Sequence, residues 1–257
     1  MDLIKACISK NTEKALELIM NNDTNLGIVD SHGRTALILA SICNTTVALK
    51  LIKTGHSKPE QVDNFGYTAL ICACRNTMKE VALELIKTGK SKPDHIDKDG
   101  CTALLWACQN TMKEVALELI KTGHAKPEQV SNCGWTVLIC ACQSTMKDVA
   151  LELIKTGKSK PDHIDKFGYT ALICACRNAI KEVALELIKT GKSNPDHIDK
   201  FGCTALILAC EKGMKYVAYE LVSIGAFTIN DLLFLKPEWI LEELLIMNPV
   251  DITEVGI

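Results

Sequence analysis

The most conspicuous chemical groups in this 257-residue chain are three Cys-x-Cys pairs, Cys72/Cys74, Cys140/Cys142 and Cys174/Cys176, within a total of 13 cysteines. Closely spaced thiolates can hold zinc or exchange disulfides, but tight zinc sites place Cys-x₂₋₄-Cys on a turn or loop. These pairs instead sit in apolar runs such as Ala69-Leu70-Ile71-Cys72-Ala73-Cys74, which read as helix. On a helix, positions i and i+2 point about 200° apart, so the two sulfurs of a pair cannot share an ion. Helices packed side by side lie about 8–10 Å apart, too far for a common metal or a disulfide between their sulfurs. Later copies of the same phrase put Trp106 or Leu208 where the first has Cys72. The cysteines therefore read as core packing, because free Cys is among the most buried residue types. A cysteine-based metal or redox protein is the rival reading.

The remaining candidates for chemistry fall to similar arguments. His95, His163 and His197 occupy one recurring place, filled elsewhere by Gln61 and Gln129, and no carboxylate or cysteine completes a tetrahedral set. They read as solvent-facing loop histidines. Glu80 and Glu84 alternate with Lys79 and Lys87 and read as a solvated helix face. No Ser-His-Asp or Cys-His order stands apart from the chain's own repetition. Glycine-rich phosphate loops are missing because each glycine falls at a turn or cap. The sequence thus predicts no enzyme, no cofactor and no metal.

Composition narrows the function classes. The chain is 47% hydrophobic and 23% charged with a net charge of −2, which excludes a disordered or collagen-like chain and argues against a dedicated nucleic-acid binder. Lys or Glu interrupts every apolar block before the 18 or so residues a membrane span needs. The opening Met1-Asp2-Leu3-Ile4-Lys5 has an acid at position 2 and no small-residue cleavage site, so it does not read as a signal peptide. A cytoplasmic location is expected, with thiols kept reduced.

The elements that carry these residues repeat. Gly66-Tyr67-Thr68-Ala69-Leu70 returns at Gly100, Gly134, Gly168 and Gly202, 34 residues apart each time, and an earlier copy starts at Gly33. Thr68 is a good N-cap for a short helix that is apolar on all sides. After the break Arg75-Asn76, Thr77 with Glu80 matches a capping box, as do Thr111 with Glu114 and Thr145 with Asp148. Met78, Val81, Ala82, Leu85 and Ile86 then form one apolar stripe. Gly89 and its counterparts Gly55, Gly123, Gly157, Gly191 and Gly225 stand where a helix needs positive φ to end. A loop containing Pro93 closes the unit. One unit cannot bury two apolar helix faces alone, so neighbours must stack into an all-α solenoid with its function on an extended face.

The unit resembles an ankyrin repeat. Asp63-Asn64-Phe65-Gly66-Tyr67-Thr68-Ala69-Leu70-Ile71-Cys72-Ala73 and Leu85-Ile86-Lys87-Thr88-Gly89 match the family pattern, strongly from Asp30 to Gly225. The wording is also similar to ankyrin arrays of giant viruses of amoebae, which would place the chain in a host cytoplasm. The family's proline is Ala69 here, and its histidine is Ile71, Leu105 or Ile139, which replaces a polar network with greasier packing. The inter-helix glycine is Thr77, Thr111 or Thr145 and survives at Gly213, so Asn76 or a different turn is expected to solve the geometry. Pro93, Pro127, Pro161 and Pro195 each remove a donor and put the family's hairpin in question.

The resemblance implies a capping repeat at residues 1–32, six repeats (33–65, 66–99, 100–133, 134–167, 168–201, 202–225) and a C-terminal helical cap at 226–257. It implies a monomeric, non-catalytic module that binds another protein along the concave face, and neither nucleic acid nor membrane. Carried over by position, the contact candidates are Arg34, Phe65, Tyr67, Arg75, Asp99, Gln109, Trp135, Gln143, Phe167, Tyr169, Arg177 and Phe201. Tyr67, Trp135 and Tyr169 could equally form a stacked ladder along the array. Lys236-Pro237-Glu238 opens a helix with Trp239, Leu241, Leu244 and Leu245, faintly similar to the start of an F-box. A substrate adaptor that recruits a ubiquitin ligase through this helix is the alternative function.

Overall fold

The structure is a computed structural model that describes residues 2–21, 24–226, 228 and 231. It divides into two compact units, residues 1–159 and 160–257. In the first, five helix pairs follow one another: α1 (Asp2–Ile8) with α2 (Thr12–Met20), α3 (Ala36–Cys43) with α4 (Thr45–Thr54), α5 (Ala69–Arg75) with α6 (Lys79–Lys87), α7 (Ala103–Gln109) with α8 (Lys113–Lys121), and α9 (Val137–Gln143) with α10 (Lys147–Lys155). The second contains α11 (Ala171–Arg177) with α12 (Lys181–Lys189) and α13 (Ala205–Glu211) with α14 (Lys215–Ser223). Within each unit, first helices pack on first helices and second on second. The fold is all-α; the extended pairing among the described residues amounts to isolated bridges at Val29–Thr35 and Val130–Thr136.

Local chemistry starts each first helix as its sequence requires. Thr35, Thr68, Thr102, Thr136, Thr170 and Thr204 are N-caps whose hydroxyls accept the N–H three residues on, at 3.1–3.3 Å. The helices they start are buried on all sides: Leu70, Ile71, Ala73 and Cys74 are fully enclosed. The second helices bury one stripe, with Val81, Ala82 and Leu85 enclosed and Met78 and Ile86 closing its edges. Each Val, Leu, Ile or Met among them contributes about 1.5–3 kcal/mol of transfer free energy, and only stacking on a neighbouring repeat can supply the cover.

The inter-helix turn differs from the capping-box expectation. Met78, Met112, Met146, Ile180 and Met214 are the N-caps of the second helices, and no side chain caps them. Thr77, Thr111, Thr145 and Ala179 instead hold the left-handed conformation themselves, at φ +58°, +55°, +54° and +55°, beside Gly213 at +63°. Asn76 does not relieve them; its φ is −104°. The reason is the double closure that ends the first helix: Met78 N–H donates to Ala73 C=O at 2.8 Å and Thr77 N–H to Cys74 C=O at 3.4 Å. That motif requires positive φ at the residue between. Asn110 Nδ2 then crosses from the next repeat to donate to Cys74 C=O at 3.0 Å and Arg75 C=O at 3.1 Å, satisfying helix-end carbonyls.

The loops keep the family's hairpin turn despite their prolines. Asp97 N–H donates to Cys101 C=O and Gly100 N–H to Asp97 C=O, both at 3.0 Å, while Asp97 Oδ1 accepts from Asp99 N–H and Cys101 N–H. Asp63, Asp165 and Asp199 build the same turn. Pro93 lies upstream, in a separate turn closed by His95 N–H donating to Lys92 C=O at 3.1 Å, so its missing donor falls outside the hairpin. Gly100 is required twice over: its φ is +77°, and a Cβ there would lie 2.9 Å from Asn132 N of the next hairpin. That approach lets Asn132 N–H donate to Asp99 C=O at 2.9 Å and fixes one repeat to the next.

Candidate interaction surface

The hairpin tips and the ends of the first helices bring most of the named candidates into two clusters, one in each unit. In the first unit Phe65, 50% exposed, stacks between His32 and Tyr67 at ring separations of 6.4 Å each. The Arg75 guanidinium lies over Tyr67 at 5.0 Å and over Trp106 at 5.3 Å. Tyr67 donates its hydroxyl to Asp99 Oδ2 at 3.4 Å, and Trp106 donates its indole N–H to Asp97 Oδ2 at 2.8 Å. Burial raises the Tyr67 phenol above its ordinary value, with Arg75 opposing and Asp99 adding to the rise.

In the second unit Phe201 is 70% and Phe167 51% exposed. Tyr169 lies 6.4 Å from Phe167 and 6.2 Å from Phe201. Arg177 sits over Tyr169 at 4.4 Å, donates to its hydroxyl at 2.7 Å and pairs with Asp199 Oδ2 at 2.8 Å. Exposed rings backed by a fixed guanidinium are the chemistry that interfaces concentrate at their energetic centres.

Four candidates stand outside these clusters. Arg34 is half-buried and pairs with Asp30 of its own hairpin at 2.7 Å. Burial pushes the Asp30 carboxyl up, but hydrogen bonds from Arg34 and His32 outweigh it and hold the group below its usual range. Gln109 is half-buried at the end of α7 and Gln143 exposed at the end of α9. Trp135 is half-buried; its backbone N–H donates to Ser131 Oγ at 3.1 Å, and its indole nitrogen is buried with no hydrogen-bond partner among the described residues. The stacked ladder of Tyr67, Trp135 and Tyr169 is replaced by these local clusters, in which each tyrosine stacks on phenylalanines of its own and, for Tyr169, the following hairpin.

Two loop and core groups complete the surroundings. His95 and His197 are not solvent-facing: each is half-buried, with Nε2 3.0 Å from the carbonyl that opens its own repeat, Gly66 or Gly168. Gln129 does the same with its amide to Gly100 C=O at 3.2 Å, which explains why the two residue types exchange at this place. A carbonyl only accepts, so Nε2 must carry the proton and the ring ties the end of the loop back to the hairpin that opens the repeat. Ten of the 13 cysteines are buried, with Cys43 and Cys133 exposed and Cys203 between. Burial pushes the Cys72, Cys101 and Cys210 thiols up to about 12, and Cys74, Cys108 and Cys176 are also driven well up. A thiol so disfavoured as thiolate is a poor nucleophile or metal ligand. Among the described residues no group of three or more His, Cys, Asp or Glu gathers to hold an ion, and no helix is long and apolar enough to cross a membrane.

Exposed ion pairs also tie the N-terminal ends of neighbouring second helices, Lys79 to Glu114 at 2.9 Å and Lys113 to Asp148. The helix expected to start at Lys236 lies outside the described residues. Of the segment after Ala226, Asp231 is buried and accepts from the Thr204 and Thr228 hydroxyls.

The family model for ankyrin repeats (3 copies) matches residues 3–94, 80–161 and 153–231. Matches to solved structures include 479 chains. One is a chain in the structure of the Bd0816 predatory endopeptidase from Bdellovibrio bacteriovorus in complex with immunity protein Bd3460, at a TM-score of 0.57 and 28% identity, covering 73% of this chain and 97% of that one. No curated protein matches the sequence.

Proposed function

The chain belongs to the ankyrin-repeat family, and from that premise we propose that it is a non-catalytic module that binds another protein through the face built by its hairpin tips and first helices, the concave face of ankyrin arrays. The observation that carries this reading is the pair of ring clusters. Phe65, Phe167 and Phe201 keep half or more of their surface in water. Folding gains nothing from leaving them there, and burying one fully would recover about 1.5–3 kcal/mol. A similar fold occurs in a solved complex of an endopeptidase with an immunity protein, a precedent for protein partners. The module acts as a monomer in the cytoplasm, without cofactor, metal, membrane or nucleic acid. Its ten buried cysteines are packing, in keeping with their burial and the raised Cys72 thiol.

Affinity purification with the intact chain tests the reading beside two double variants, Phe65→Ala with Tyr67→Ala, and Phe167→Ala with Phe201→Ala. The expected result is a partner protein captured by the wild type and depleted by at least one variant. Equal capture by both variants, with their folds intact by circular dichroism, would refute the choice of face.

A further inference from the structure

Arg75 and Arg177 occupy the same place in repeats three units apart, yet their guanidinium groups are treated differently. Arg177 is engaged from within, donating to the Tyr169 hydroxyl and to Asp199 Oδ2. Arg75 has the matching tyrosine, Tyr67, and the matching aspartate, Asp97, but donates to neither among the described residues. Both partners are oriented by other groups. Trp106 Nε1 donates to Asp97 Oδ2 at 2.8 Å, and the Tyr67 hydroxyl donates to Asp99 Oδ2 at 3.4 Å. Around Arg177 those two places hold Leu208 and Phe201, whose side chains can neither donate nor accept. Two substitutions, Trp106 and Asp99, thus release one arginine from the internal pairing that its twin keeps.

The released group is not loose. Its guanidinium lies over two rings, at 5.0 Å from Tyr67 and 5.3 Å from Trp106, and the side chain is exposed. Stacking fixes the plane of the fork while leaving its N–H donors toward water, which lowers the ordering cost of a bidentate ligand. The twin names the chemistry of that ligand, since the same fork takes a carboxylate wherever the internal aspartate is available. Phe65, half exposed on the far side of Tyr67, offers an apolar seat next to it.

We propose that Arg75 receives a carboxylate from outside the chain: an Asp or Glu side chain on a partner protein's exposed segment, with an apolar residue beside it to cover Phe65. The assignment rests on the protein-binding reading of this face. Trp106 is a positioning residue that keeps Asp97 away from Arg75. Asp99, exposed nearby, opposes a second negative charge, so Asp99→Asn strengthens binding.

The probe is acetyl-Glu-Phe-amide, titrated into the full chain while the Nε–H resonances of Arg34, Arg75 and Arg177 are followed by NMR. Acetyl-Gln-Phe-amide and inorganic phosphate serve as comparisons. The Arg75 resonance moves saturably with the glutamate probe and at least about threefold less with the glutamine probe, while Arg34 and Arg177, already paired, hold still. Trp106→Leu returns Asp97 to Arg75 and weakens binding about fivefold; the last repeat carries leucine at this place, and the other resonances report whether the variant folds. A silent Arg75, equal responses to both peptides, a preference for phosphate, or undiminished binding by folded Trp106→Leu would each overturn the proposal. Partner capture judges the wider reading separately: capture with Arg75 silent keeps the face and loses this site, and a responsive Arg75 without capture does the reverse.

Discussion

Replacing Thr111 by glycine should stabilise the protein. Thr111 joins α7 to α8 at φ +55°, held there because Met112 N–H reaches Ala107 C=O at 2.9 Å and Thr111 N–H reaches Cys108 C=O at 3.3 Å. A left-handed backbone costs an L-residue about 1–2 kcal/mol, and a β-branched residue sits at the upper end. Glycine avoids that cost but loses about 0.5–1 kcal/mol more conformational entropy on folding. The balance is a gain of about 0.5–1 kcal/mol. Nothing offsets it, since the side chain is exposed and its hydroxyl forms no hydrogen bond among the described residues. Gly213 supplies the reverse experiment: it adopts φ +63° at the same place, and an added Cβ would meet nothing within 4 Å. Gly213→Thr therefore isolates the backbone cost and destabilises by a similar amount. Urea unfolding followed by circular dichroism reads both, with the slope unchanged if only the native turn is affected. A lower midpoint for Thr111→Gly, or an unchanged one for Gly213→Thr, would refute the reasoning.

Asp97→Ala leaves Asp99 N–H, Cys101 N–H and the Trp106 indole without their acceptor, and should cost about 2–3 kcal/mol in urea unfolding; an unshifted midpoint would contradict the turn's role. Native thiol labelling should modify Cys43 and Cys133 quickly, Cys203 slowly, and the ten buried cysteines at the rate of unfolding. Because burial raises the Cys72 thiol from 9.0 to about 12, the native state holds its proton more tightly than the unfolded one. The stability this gives is complete below pH 9 and is lost as pH rises toward 12, on the order of 1 kcal/mol for Cys72 by pH 10. Cys72→Ala should flatten that alkaline fall, and an identical pH profile would exclude the thiol as its source. Glu114→Gln, which removes an exposed ion pair to Lys79, should leave the urea midpoint where it is.

Elements governed by near neighbours in sequence were legible in the sequence. Each Thr cap needs an N–H three residues away, and each second-helix stripe follows the helical period, so both stand where the pattern puts them. The inter-helix turn was not legible, because Thr77 and Glu80 satisfy the capping-box spacing locally while the closure onto Ala73 and Cys74 decides the backbone. His95 reads as a surface residue because its acceptor, Gly66 C=O, lies 29 residues earlier. Among site residues, Phe65, Tyr67, Arg75 and Asp99 cluster, as do Phe167, Tyr169, Arg177 and Phe201. Trp106 registers in the sequence only as a replacement for cysteine. Its signal was available all the same: a half-buried indole must find an acceptor, and Asp97 is the acidic residue nine positions earlier.

The most direct test of the account is a hydrogen-exchange footprint of the captured partner on the intact chain. The account predicts protection at the hairpin tips and first-helix ends, around residues 65–75, 97–109, 167–177 and 199–203. Protection confined instead to the outward faces of α6, α8, α10 and α12, with those tips unchanged, would contradict it.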